Sequence, residues 1–320
     1  MKKTGLLLIV AAVLASACET TLDVELPDHP PQMTVNGFFR SGEVWDIHLS
    51  EARSVADGEA AIRNITNATV EILQEDEDPI RLRYAGSGFY RSLSFRPSPS
   101  RTYTVRASAP GYTPIEATDT VPDPVPVTFA YEITRLDTIF DAVSADVEVT
   151  IQLDDPPDQD EYYRLFVLYR VFEKRTGEFA FFTYQFKVDD EAILAENGDP
   201  FEFDSGEANT LINAVFSDAL FDGEHREITL NIENLQVVNT HRDLIGQLLF
   251  EPGGTLQVYF YNISKTYYDY STTFDLHDEV EDNPFAEPVQ VHTNVENGFG
   301  IFAGFNRYLL EIDFRDDEGR

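Results

Sequence analysis

The chain has 320 residues and carries 57 Asp and Glu against 23 Lys and Arg, a formal net charge of -34. That balance excludes a nucleic-acid binder, which needs clustered Lys and Arg to displace phosphate counterions, and it excludes electrostatic adhesion to an anionic membrane surface. Disorder is excluded as well: 42% of residues are hydrophobic and 12% aromatic, with 24 Phe and 15 Tyr, enough to build a core.

At roughly 150 residues per domain the length points to about two domains. Five of the basic residues are Lys (Lys2, Lys3, Lys174, Lys187, Lys265), which leaves 23 - 5 = 18 Arg. A carboxylate-rich, Lys-poor surface resembles that of proteins from saline habitats, where a Debye length of about 3 Å at molar salt removes most self-repulsion. A GC-rich genome acting on an ordinary acidic exported protein gives the same signature.

Met1, Lys2 and Lys3 form a positive start, and residues 5–17 are apolar apart from Ser16. The run falls short of the roughly 20 residues a bilayer span needs and has the length of a signal-peptide core. It ends Leu14-Ala15-Ser16-Ala17-Cys18. Small residues before a Cys resemble the lipobox of bacterial lipoproteins, which implies cleavage of residues 1–17 and lipidation of Cys18. Ala15-x-Ala17 also fits an ordinary signal peptidase. Cys18 is the one Cys in the chain; an unpaired thiol has no evident use in an exported protein, whereas a lipidated one has. Each buried CH₂ of such an anchor contributes about 0.8 kcal/mol. Residues 18–31 are acidic and Pro-rich and read as an extended tether, and acids just after the Cys resemble the surface-export signals of Bacteroidota lipoproteins.

Residues 32–120 read as short strands between turns: 33–39, 44–49, 68–73, 80–84, 89–93 and 102–107. Turn signals every 8–12 residues argue an antiparallel, Ig-like sandwich. The run from Asn67-Ala68-Thr69-Val70 through Gly88-Phe89-Tyr90 and Tyr103-Thr104-Val105 to Pro110-Gly111-Tyr112 resembles the carboxypeptidase-regulatory, prealbumin-like sandwich. Pro122, Pro124 and Pro126 make 121–127 the expected linker. Residues 128–320 then form a larger sandwich with strands at 143–153, 162–172, 179–188, 227–232, 255–263 and 307–314. Thr176-Gly177 suits a hairpin turn, and helices are expected near 190–196 and over 265–280. The expected class is therefore mainly β: two antiparallel β-sandwich domains, the second larger, with one or two short helices.

No catalytic motif stands out: there is no G-x-S-x-G, H-E-x-x-H, P-loop or G-x-G-x-x-G. The six His are scattered, and His277-Asp278-Glu279 reads as a solvated helix end. Asp154, Asp155, Asp158 and Asp160 share one loop, and hard oxygen ligands on a loop suit calcium. Their spacing departs from the EF-hand pattern and its Gly is missing, so a solvated acidic loop is the competing reading. Tyr259, Tyr261, Tyr267, Tyr268 and Tyr270 crowd the segment around the second helix; rings with polar tips suit sugar or peptide recognition, against a core-and-rim role.

The last segment is the most specific. Asn283-Pro284-Phe285-Ala286-Glu287-Pro288-Val289 leads to Asn294-Val295-Glu296-Asn297-Gly298-Phe299-Gly300-Ile301-Phe302. Asn297-Gly298 suits a turn needing positive φ, in a hairpin or loop that feeds the last strand. Together with a Val35-Asn36-Gly37 strand near the mature start, these residues resemble the Bacteroidota lipoprotein family called domain of unknown function 4249. The resemblance covers essentially the whole mature chain. It implies a gene neighbourhood with TonB-dependent outer-membrane transporters and carries over no catalytic residue. The expectation is a non-enzymatic lipoprotein without a cofactor. It is anchored by lipid in the outer membrane facing the exterior, and it binds ligand for, or docks on, such a transporter. Tyr267, Tyr268, Asn283, Phe285, Asn294 and Asn297 are its candidate contact residues. An envelope adhesion or structural protein, or a hydrolase with an unrecognised site, are the alternatives.

Overall fold

A computed structural model describes residues 31–52, 62–139, 142–197, 209–238, 249–281, 287 and 289–315. Cys18, the signal and tether region up to residue 30, Asn283 and Phe285 lie outside the described residues. Period-two alternation drives most of this chain into strands, because it gives each strand one apolar face to bury. In β1 (Met33–Arg40), Met33, Val35 and Phe39 are buried while Asn36 is exposed.

The central element is a nine-stranded sheet. Its path runs β12 (Glu178–Tyr184), β11 (Tyr162–Glu173), β17 (Thr255–Ile263), β19 (Phe299–Asp313), β1, β2 (Trp45–Glu51), β6 (Phe89–Ser92) and β5 (Arg83–Gly86), and β15 (Asn213–Ser217) also pairs with β11. The pairing is antiparallel except at its middle, where β1 runs parallel to β19 from Thr34↔Phe299 to Arg40↔Phe305. Two five-stranded sheets accompany it. One is ordered β18 (Val295–Glu296), β8 (Ile115–Thr120), β7 (Thr102–Ser108), β3 (Thr69–Leu73), β4 (Ile80–Arg81). The other is ordered β14 (Thr210–Leu211), β13 (Phe186–Val188), β16 (His225–Val238), β10 (Ala142–Asp154), β9 (Val127–Ile139).

Two sandwich cores result. In the first, Trp45, Tyr90, Tyr103 and Phe39 are buried with Phe302 of β19, and Phe39 stacks on Phe302 at 4.4 Å. Burying one such ring, about 200 Å² at about 25 cal/mol per Å², contributes about 5 kcal/mol before ordering entropy is subtracted. The second core joins Val147, Val149 and Ile151 of β10 and Leu230 of β16 to Leu165, Val167, Phe260 and Ile312 of the large sheet. The mainly β, sandwich-type class expected from the sequence is what the chain adopts, and one sheet serves both sandwiches.

The Pro-rich stretch 121–127 passes between the cores, Val121 buried in the first and Val125 in the second. It is fastened to the inner face of β19: Asn306 Nδ2 donates to the Pro122 carbonyl at 2.8 Å, and the Val125 N–H donates to Tyr308 Oη at 2.9 Å. A Cβ on Gly304 would stand 2.4 Å from the Thr120 carbonyl oxygen, so only glycine lets the two backbones approach this closely.

One detail departs from the sequence reading. The expected strand over 179–188 breaks at Gln185, with β12 in the large sheet and β13 in the small sheet of the second core. At Asn297, where φ is +60° as expected, the chain takes the loop of the two expected forms, hairpin or loop: β18 pairs with β8 in the first small sheet while β19 enters the large one.

Two α-helices are described, α1 (Glu191–Asn197) and α2 (Lys265–Glu281). Ser264 caps α2 by accepting the Tyr267 N–H at 3.2 Å, and its own hydroxyl donates to Asp119 at 2.5 Å. Asp119 also accepts the Gly304 N–H at 2.8 Å, so one carboxylate ties β8, β19 and α2 together. Tyr267 of α2 packs with Ile301 and Ala303 of β19 and with Phe38 of β1, against the face of the large sheet turned away from both cores. No helix among the described residues is long and apolar enough to cross a membrane.

Candidate functional site

Beside α2 the outer face of the large sheet carries a band of rings and guanidinium groups. Strand alternation places it there: in β11, Tyr163, Leu165 and Val167 point to the core, so Arg164, Phe166 and Leu168 point outward. The same logic turns Tyr259 and Tyr261 of β17 and Phe305 and Arg307 of β19 outward. Phe166 and Tyr259 are cross-strand partners and stack with centroids 4.8 Å apart and planes 10° apart. Tyr261 and Phe305 approach to 4.8 Å.

Tyr261 is the register partner of Arg164 on one side and of Arg307 on the other, which makes a three-strand rung of Arg, Tyr and Arg. Arg164 lies over the Phe166 and Tyr267 rings at 5.7 and 5.6 Å, and Arg307 lies over Tyr259 at 5.9 Å. Each such contact contributes about 0.5–1 kcal/mol at an exposed site. Arg164 donates to Asn213 Oδ1 at 2.7 Å and Tyr267 Oη at 3.0 Å, both neutral. Among the described residues Arg307 has no hydrogen-bond or ion-pair partner. Burial, followed by the charge of Arg307, lowers the pKa of Arg40, so a third guanidinium lies in range; Arg40 is itself paired with Glu43. Burial pushes the Tyr261 hydroxyl up to about 12, with Arg307 and Arg164 both opposing the rise. Past β11 the band ends on edge strand β12, whose Phe179 and Phe181 are 48% and 56% exposed.

The sequence-predicted candidates do not come together: Tyr267 and Tyr268 lie on α2 over this face, while Asn294 and Asn297 lie at β18 and the turn after it. Tyr267 is buried under Phe38 and Arg164. Tyr268 packs on Tyr162 and donates its hydroxyl to Glu196 of α1 at 2.6 Å. The Asn294 amide is engaged with backbone: Nδ2 donates to the Thr118 and Phe302 carbonyls at 3.1 and 2.8 Å, and Oδ1 accepts the Phe302 N–H at 3.1 Å. Asn297 forms the positive-φ turn described above.

The acidic loop builds a second constellation. Of its four candidates only Asp155 turns into the protein, where its carboxylate meets those of Asp218 and Asp222 with oxygens within 4.8 Å of one another. Tyr163 Oη donates to Asp155 Oδ1 and the Gly223 N–H to Oδ2 at 2.9 Å. Asp154 pairs with His225 instead, Asp158 contributes its N–H to Asp222 at 3.0 Å, and Asp160 is exposed. Glu161, also buried, accepts from Asn262 Nδ2 at 2.5 Å, and Asn262 in turn accepts from Asn306 at 3.2 Å. Burial raises Asp155, lifts Glu161 to about 7 and lifts Asp218 to about 6, in each case with neighbouring carboxylates adding to the rise. The oxygen donors Asp155, Asp218 and Asp222 are of the type that holds a hard divalent cation.

A polar cleft of about 550 Å³ lies along Asp189, Asp190, His225, Arg226 and Asn231. Its cation is already committed. Asp190 takes a bidentate pair from Arg226 at 2.8 and 3.1 Å and caps α1 through the Ala192 and Ile193 N–H groups.

Sequence reasoning missed Arg164, Phe166, Arg307, Phe179 and Phe181 as members of one surface. For Arg164 and Phe166 the available signal was alternation, since the other phase of β11 is Tyr163, Leu165, Val167, Tyr169 and Val171; in β12 and β19 the opposite phase is mixed and gave no such signal. Asp218 and Asp222 carried no local signal, since they join Asp155 only through the pairing of distant loops.

A family model described as "Domain of unknown function (DUF4249)" matches residues 19–308. No curated protein matches the chain.

Proposed function

The chain belongs to this family of unknown function, and we propose that it works without catalysis as a lipid-anchored outer-membrane protein facing the cell exterior. In this reading it binds a ligand for, and docks on, a TonB-dependent transporter. The observation that carries the reading is the ring-rich outer face of the large sheet. Aromatic side chains gathered on one sheet face, half-buried on β11, β17 and β19 and exposed at Phe179 and Phe181 on an edge strand, are the usual mark of a binding surface. Lipidation at Cys18 and an acidic, Pro-rich tether would hold that face near the membrane while leaving it free to turn. The net charge of -34 keeps the body soluble and off anionic lipid, so lipid alone supplies the anchorage.

The experiment is purification of the tagged protein from its own membranes in mild detergent. A β-barrel partner in stoichiometric amount is expected, and Cys18→Ala should release the chain to the soluble fraction. Repeated recovery of the protein alone, or membrane retention of Cys18→Ala, would overturn the reading.

A further inference from the structure

The Arg164–Tyr261–Arg307 rung sets two guanidinium groups without a carboxylate partner among the described residues in one register row, beside a band of rings. Acids outnumber bases 57 to 23, so an average guanidinium has ample carboxylates to meet. Arg63, Arg91, Arg106, Arg135, Arg175, Arg226 and Arg315 all do. Among the described residues Arg81, Arg83, Arg96, Arg101, Arg164 and Arg307 do not, and Arg164 and Arg307 are the two of these that share the ring-rich face: Arg164 donates to an amide and a phenol, and Arg307 has a ring beneath it. Both stand on the same face, two strand spacings apart, about 10 Å between backbones. Tyr261 lies between them in register, half-buried where it and Phe305 pack on Tyr267 of α2, and Phe166 and Tyr259 continue the ring surface beside it. Guanidinium forks are shaped for carboxylates and phosphates. Rings beside them offer an apolar platform to a flat partner.

Charge selects between those anions. A protein at -34 repels a run of phosphates at long range. One carboxylate on each uncharged ring body brings little charge density and can use both the forks and the rings. We propose that this rung binds the carboxylate of an acidic sugar, the neighbouring rings taking the sugar's apolar face. The inference rests on the ligand-binding reading above and names the ligand class for the same face.

Calorimetry on the mature, lipidated chain in detergent micelles tests it, with tetragalacturonate as the probe and its carboxyl-reduced form and inorganic phosphate as controls. Tetragalacturonate should bind at least tenfold more tightly than either control. Arg307→Gln should weaken it at least tenfold while the melting temperature stays put, and Arg307→Lys should recover part of the loss. Absence of binding, equal binding of the reduced sugar, equal binding of phosphate, or an unchanged affinity in Arg307→Gln would each overturn the assignment. A co-purifying barrel with no sugar binding would sink this inference alone; sugar binding without a barrel would sink the transporter half of the proposed function alone.

Discussion

Glu161, Asp155 and Asp218 are buried carboxylates whose partners are amide, phenol and backbone groups rather than cations. Their pKa values are raised in the folded state, Glu161 to about 7 and Asp218 to about 6. A carboxyl raised on folding binds more protons folded than unfolded, so it stabilises fully below its unfolded pKa and that stability is lost as pH rises through the folded value. The urea midpoint should therefore be higher at pH 5 than at pH 8, most of the fall coming between pH 5 and 7. Relief of general charge repulsion acts in the same direction, so Glu161→Gln is the discriminating variant and should flatten part of the slope. A midpoint flat or rising from pH 5 to 8 would contradict this. Below about pH 4 the trend reverses, because Asp146 and Asp313, lowered by hydrogen bonds from Arg135 and Arg315, then lose their charge. At this scale the sequence was legible where the reason is local: Asn297-Gly298 predicts positive φ, and Asn297 has it. Asp155 could be suspected from its loop, but the identity of its neighbours is set by the fold.

Strands announce themselves when one phase is continuously apolar. β10, β11 and β17 were expected within a residue or two of where they lie. β9 was not, because as an edge strand its residues stay half-buried or exposed and a Pro-rich run leads into it. β15 and β18 are five and two residues long and owe their conformation to the strands they pair with. Gly300 shows how tightly one such pairing is specified. Its φ is +98°, and a Cβ there would fall on the carbonyl oxygen of its parallel partner Val35. Gly300→Ala adds backbone strain, about 1–3 kcal/mol, to a clash that must push β1 from β19, again about 1–3 kcal/mol. A loss of about 2–6 kcal/mol in urea unfolding is expected, while Gly177→Ala, with nothing within 4 Å, should cost the φ strain alone, about 1–3 kcal/mol, and so less than Gly300→Ala. Equal losses at the two sites would show that the β1–β19 approach is looser than described.

Turn spacing and the prolines at 121–127 pointed to a change of core, and the run does carry Val121 in the first and Val125 in the second; but the first core also takes Val295 and Phe302 from the far end of the chain, inside the range expected to form the second sandwich. The shared sheet was not legible, because the parallel pairing of β1 with β19 joins residues some 265 positions apart and leaves no local pattern. Sharing has a thermodynamic consequence. β19 gives Phe302 to one core and Ile312 to the other, and the linker is hydrogen-bonded to the same strand. Neither core can open without stripping part of the other, so the two should unfold together. Trp45, the single Trp, is fully buried in the first core and reports it by fluorescence, while far-ultraviolet circular dichroism is weighted toward the longer strands of the second. Coincident transitions are expected, and transitions separated by more than about 0.5 M urea would mean the cores are independent.

The proposal that the outer sheet face is where this chain meets a TonB-dependent transporter can be tested in place. A photo-crosslinking residue substituted at Phe181, on the exposed end of the ring band, is compared with one at Leu93, which is 77% exposed on the loop after β6. Both are irradiated in intact cells. A crosslink to a β-barrel-sized partner from position 181 and none from position 93 is the predicted result. Crosslinks of equal yield from both positions, or none from position 181, would contradict it.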